Sequence, residues 1–104
     1  MDDRIAIIGN EELYAGFKAL GVEVMDPSKE GKQAGEILAL LDPSRYAIVF
    51  VSEPEAHYVW DVISERNRNT SQTVTVIPAG HEQTGAAGMK IRELVRRAVG
   101  ADVG

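Results

Sequence analysis

The chain has 104 residues and no cysteine, which excludes a disulfide framework, a thiolate nucleophile and a cysteine-held metal. Sixteen acidic residues against eleven Lys and Arg leave a net charge of −5, the opposite of the balance expected in a nucleic-acid-binding domain. The start, Met1-Asp2-Asp3-Arg4, has no basic n-region, its apolar run is too short for a signal peptide, and no stretch approaches the roughly 20 apolar residues needed to cross a bilayer, so a soluble protein with at most an indirect membrane role is expected.

Ile5–Ile8 is a continuous apolar run closed by Gly9-Asn10, the pattern of a strand buried on both faces. Leu13, Gly16, Phe17 and Leu20 then fall on one helical stripe, and Gly21 ends it as a C′ residue. Val22–Met25 reads as a short second strand. Asp26-Pro27-Ser28 is turn chemistry, with Ser28 as the expected N-cap of the next helix. Ala34, Ile37, Leu38 and Leu41 give that helix its stripe, which Gly31 and Gly35 weaken. Asp42-Pro43-Ser44 breaks the chain again. Tyr46–Val51 is the clearest strand, and Ser52 and Pro54 are placed to start a helix. Ala56, Val59, Trp60 and Ile63 form a third stripe, ended by the polar run Arg66-Asn67-Arg68-Asn69. Thr73–Ile77, rich in β-branched residues, is a fourth strand. A loop from Pro78 to Gly88 follows. Ile91, Leu94, Val95, Ala98 and Val99 make a last stripe, closed by Gly100.

Strict alternation of strand and helix predicts an α/β fold: a small four-stranded parallel sheet flanked by helices, flavodoxin-like or receiver-like, plus a C-terminal helix. The expected division is an α/β domain over 1–77, a Gly-containing loop over 78–88, and a C-terminal helix and tail over 89–104. Four parallel strands need only three crossovers, and an 11-residue loop is long for a compact α/β domain. The last helix therefore has two readings: it packs on the sheet, or it gives its stripe to a partner.

Known chemistries are incomplete in this chain. Gly9-Asn10-Glu11-Glu12 carries one glycine of a dinucleotide fingerprint and two carboxylates that repel phosphate. Gly80 and Gly85 have P-loop spacing, but Ala86-Ala87 stand where Lys and Ser or Thr are needed. A receiver domain needs an Asp at the end of its third strand, and Val51-Ser52-Glu53 supplies none. His57 and His81 lack ligand spacing. No catalytic residue, cofactor or metal is expected. The last helix carries Lys90, Arg92, Arg96 and Arg97 against Glu93 alone. Those cations suit the helix C-terminus or an acidic partner surface.

Several segments, in order over nearly the full chain, resemble the F subunit of prokaryotic A-type/V-type ATPases. They are Ile7-Ile8-Gly9-Asn10, Gly16-Phe17, Leu20-Gly21-Val22, Val51-Ser52-Glu53, Val76-Ile77-Pro78-Ala79 and, most specifically, Ile91 through Gly100. Gly31 and Gly35 depart from the family's second helix. The resemblance implies a non-catalytic central-stalk (rotor) component that couples ATP synthesis or hydrolysis to ion transport. It implies that the C-terminal helix binds the coiled-coil D subunit near the A/B subunit ring, through Ile91, Arg92, Leu94, Val95, Arg96 and Val99. It further implies a peripheral place on the cytoplasmic side of the cell membrane, with no cofactor and no nucleic acid. The alternative that the fold itself offers is a receiver-like signalling or ligand-binding module, with its ligand near Gly9, Asn10, Ser52 and Glu53.

Overall fold

Four runs of apolar and β-branched residues become strands, as their composition predicts. In the computed structural model, which describes residues 4–78, they are β1 (Arg4–Ile8), β2 (Glu23–Met25), β3 (Tyr46–Ser52) and β4 (Thr73–Ile77). All pair in parallel, in the order β2-β1-β3-β4. The chain steps from β1 to β2 on one side, then crosses back to β3 on the other. That reversal puts helices on both faces and leaves a topological switch point between β1 and β3. The predicted C-terminal helix and tail over 89–104, and all of the predicted loop 78–88 except Pro78, lie outside the described residues.

Each face of the sheet has its own core. On one face, Ala6, Ile8, Val49, Val51 and Val74 pack against α3 (Ala34–Leu40), α4 (Glu53–Ala56) and α5 (Trp60–Asn69) through Ile37, Leu38, Ala56 and Ile63. On the other, Ile5, Ile7, Phe50 and Ile77 pack against Tyr14 and Phe17. Alternate residues of β1 thus serve opposite cores, and Ala6, Ile7 and Ile8 are all fully buried.

Three helices differ in detail from their predicted form. The first is a single turn, α1 (Glu11–Tyr14), followed by a 3-10 helix over Ala15–Leu20. Three residues per turn align positions i and i+3. Tyr14 and Phe17 therefore share the buried side, their ring centroids 6.4 Å apart, while Leu13 and Leu20 are 37% and 43% exposed. Gly21 ends the segment at φ +86°, as expected of a left-handed cap.

The second predicted helix is split. Asp26, not Ser28, caps α2 (Pro27–Glu30) by accepting the Ser28 N–H at 3.0 Å. Gly31 lies at φ +66° and closes α2 rather than weakening a longer helix. Gln33 then starts α3, and its N–H donates to Glu36 Oε1 at 3.1 Å. Gly35 belongs to α3, where an added Cβ would lie 3.2 Å from Val59 Cγ1. Its missing side chain lets α3 approach the start of α5.

The third predicted helix breaks into α4 and α5. Ser52 is the N-cap of α4, without a side-chain bond. Ala56, Val59 and Ile63 are buried as the stripe predicts, but Trp60 is 52% exposed. The chain turns after Ala56, whose carbonyl accepts the Val59 N–H at 3.0 Å. Trp60 begins a new helix and so falls off the old stripe.

Polar side chains of Gln72, Arg66 and Asn67 tie the far end of the sheet together. Gln72, buried just before β4, donates from Nε2 to the carbonyls of Leu41 (3.0 Å) and Tyr46 (3.1 Å). Arg66 donates to the carbonyls of Leu41 (3.0 Å) and Ala39 (3.2 Å), which satisfies acceptors that the end of α3 leaves open. Asn67 accepts the Val74 N–H at 2.7 Å and donates to the Val74 carbonyl at 2.9 Å.

Candidate functional site

Ligands of open parallel sheets bind beyond the strand C-termini at the switch point. Here that place is between Gly9, after β1, and Ser52, at the end of β3. The structure fills it with the chain's own side chains. A Cβ built on Gly9 would lie 2.7 Å from Tyr14 Cε2 and 3.1 Å from both Cβ and Oγ of Ser52. Tyr14 is fully buried and Ser52 nearly so. The Tyr14 hydroxyl donates to the Pro78 carbonyl at 3.2 Å. Gly9 is required here for close approach, and what approaches it is protein rather than phosphate. Asn10 turns its side chain to the Leu13 N–H at 3.0 Å and caps α1. Glu53 opens α4 in the solvent. Gly9, Asn10, Ser52 and Glu53 are thus brought together as the receiver-like reading supposes, but around a plug.

Two carboxylates beside the switch point, Glu11 and Asp26, are engaged internally. Glu11 pairs with Lys18 and, at 2.9 Å, with Lys29. Hydrogen bonding by Lys18, then by Lys29, holds its carboxyl below the usual range, and Glu11 in turn raises the Lys29 ammonium. Asp26 accepts the Glu11 N–H at 3.0 Å through Oδ2, and the Ser28 N–H and hydroxyl at 3.0 and 2.8 Å through Oδ1. The Glu11 N–H, then the Ser28 hydroxyl, lower its pKa. Among the described residues no cluster of three or more His, Asp or Glu could hold a metal. Asp42 and Ser44 form the predicted turn, with Oδ1 accepting both the N–H and the hydroxyl of Ser44 at 2.9 Å.

A further concave feature is an open groove of about 690 Å³ between the α2–α3 junction and the α4–α5 corner. Tyr58 stands at its margin, 86% exposed, with the His57 ring edge-on at 5.0 Å. His57 is therefore an exposed stacking partner, consistent with its lack of ligand spacing. Of the predicted partner-binding residues, Ile91, Arg92, Leu94, Val95, Arg96 and Val99 all lie outside the described residues, as does His81. Sequence pattern alone singles out neither Tyr14 nor Tyr58. The i, i+3 pairing of Tyr14 with Phe17 is a signal for the first, whereas an exposed tyrosine has none. No helix among the described residues is long and apolar enough to cross a membrane.

Comparison with known proteins agrees over almost the whole length. The family model for the ATP synthase (F/14-kDa) subunit matches residues 5–95. The V-type ATP synthase F subunit of Clostridium perfringens is 28% identical over 103 residues, covering 99% of this chain and 97% of its own. That of Fusobacterium nucleatum is 26% identical over 100 residues, covering 96% and 94%. The A-type ATP synthase F subunit of Methanosarcina acetivorans is 28% identical over 104 residues, covering 95% and 96%.

Proposed function

Because the chain belongs to the ATP synthase (F/14-kDa) subunit family, we propose that it is the non-catalytic central-stalk component of a rotary A/V-type ATPase. In this reading it turns with the rotor and helps couple ATP synthesis or hydrolysis to ion transport. The nucleotide chemistry belongs to the A/B subunit ring. The protein sits peripherally on the cytoplasmic side of the membrane and contacts lipid only through the complex.

One observation carries the non-catalytic part: the switch point, where a sheet of this topology takes a ligand, holds Tyr14, Gly9 and Ser52 in van der Waals range. The same plug weighs against the receiver-like alternative, as does Ser52-Glu53 in place of a phosphorylatable Asp. The partner is assigned to the coiled-coil D subunit. The apolar stripe Ile91, Leu94, Val95 and Val99 suits helix-on-coil packing, and Arg92 and Arg96 suit its acidic rims.

The test is binding of the full chain to the D subunit from the same genome. Wild type is expected to bind. The double variant Leu94→Asp, Val95→Asp should lose binding while keeping the circular dichroism of the α/β domain. Undiminished binding by the double variant would sink the assigned interface, and no binding by folded wild type would sink the partner.

A further inference from the structure

We propose that the corner between α4 and α5 is a second docking surface, whose occupant is a basic amphipathic helix of a neighbouring protein in the complex. The inference rests on the assembly reading above and adds a contact distinct from the stripe 91–99.

Large aromatics stand exposed at this corner. Tyr58 is 86% exposed and Trp60 52%, and exposed Tyr and Trp are the residues that most often anchor interfaces. The edge-on His57 ring, at 85° and 5.0 Å, restricts Tyr58, which lowers the entropy that docking must remove. Beside them runs the 690 Å³ groove, whose apolar lining includes Ala34, Val59 and Val62. Its walls come from two helical segments, the α2–α3 junction and the α4–α5 corner. That shape suits a helix presenting one apolar stripe.

Charge selects the kind of helix. From Tyr46 to Glu65 the chain carries Glu53, Glu55, Asp61 and Glu65 and neither Lys nor Arg. Glu53, Asp61 and Glu65 are exposed and Glu55 lines the groove. The ion pairs of Glu11 with Lys18 and Lys29 use none of them. Lys32, on the opposite wall, is the local exception. A partner with Lys and Arg flanking its apolar stripe would neutralise this acidic rim, which speeds and orients encounter. The chain's own basic residues Lys90 to Arg97 are assigned to the stalk contact in the reading on which this inference rests.

Trp60 is the only tryptophan of this chain, so biosynthetic replacement by azatryptophan, which is excited to the red of ordinary tryptophan, makes it a reporter on the corner among the tryptophans of other proteins. The experiment adds the full labelled chain to the rotary ATPase of the same genome purified without this component, and follows the label's emission and acrylamide quenching. Trp60 should be accessible in the free chain, then blue-shifted and protected on assembly. Tyr58→Ala, which removes no core atom, should raise the Kd about tenfold or more. Glu53→Gln with Glu55→Gln should slow association and flatten its salt dependence. Assembly that leaves Trp60 accessible, or wild-type affinity in Tyr58→Ala, overturns the proposal while leaving the assembly reading intact. Protection of Trp60 in the free chain overturns it as well, assigning the corner to the chain's own C-terminal residues if independent of concentration, or to a second copy if not. No association by folded wild type overturns the assembly reading itself, and this inference with it.

Discussion

The Tyr14 hydroxyl donates to the Pro78 carbonyl at 3.2 Å, joining residues 64 positions apart. One lies in the first crossover and the other directly follows β4, so this contact ties the start of the described fold to its end across the C-terminal edge of the sheet. Tyr14→Phe keeps the buried ring and removes the bond, and should cost about 1 kcal/mol. Tyr14→Ala also empties the plug and should cost about 3–5 kcal/mol. Urea unfolding measures both. A Tyr14→Phe chain with the wild-type midpoint would show that the bond contributes nothing net.

Gly9 is required by space, not by backbone angle. Its added methyl would meet the Tyr14 ring at 2.7 Å, and Ser52 at 3.1 Å. Both neighbours are buried, so relief needs a shift of the plug itself. Gly9→Ala should therefore destabilise by about 1–3 kcal/mol, the usual range for overpacking. Thermal unfolding checks it, and an unchanged melting temperature would mean that the ring gives way freely.

Asp26 is expected to contribute acid sensitivity to the fold. Its carboxylate is held below the ordinary range, first by the Glu11 N–H and then by the Ser28 hydroxyl. A depressed folded-state pKa contributes stability that is fully present above the unfolded value, about 3.9, and is lost as pH falls below it. The urea midpoint should fall as pH drops below about 4, and Asp26→Asn should flatten part of that fall. Asp26→Ala should cost about 1–2 kcal/mol near neutral pH through the lost cap. An Asp26→Asn chain with the full wild-type acid dependence would place the sensitivity elsewhere.

All four strands are legible in the sequence, because both faces of this sheet are covered and its core strands read as unbroken apolar runs. The helices are less legible, since the stripes assume 3.6 residues per turn throughout. At Ala15–Leu20 the repeat is three, and the buried partner of Phe17 is Tyr14 rather than Leu13 or Leu20. At His57–Val59 the helix stops and restarts, and no periodicity spans the break to place Trp60. Asp26 outcompetes Ser28 as a cap because its two oxygens serve both the start of α2 and the start of α1, a long-range demand that local turn chemistry cannot reveal. The expectation that neither glycine-containing turn holds phosphate is read from missing residue types. That a tyrosine closes the vacant place depends on contacts across the fold. The predicted contact residues Ile91 to Val99 remain a matter of sequence pattern.

The carboxamide of Asn67 occupies both outward-facing backbone groups of Val74, and among the described residues β4 lies at the edge of the sheet. A bare outer strand is a template on which another molecule's strand can add, the first step of aggregation. Here an incoming strand finds part of the ladder already taken by a side chain that mimics a peptide unit. Among the described residues, the outer edge of β4 is thereby blocked at Val74, with no charge or proline placed in the strand itself.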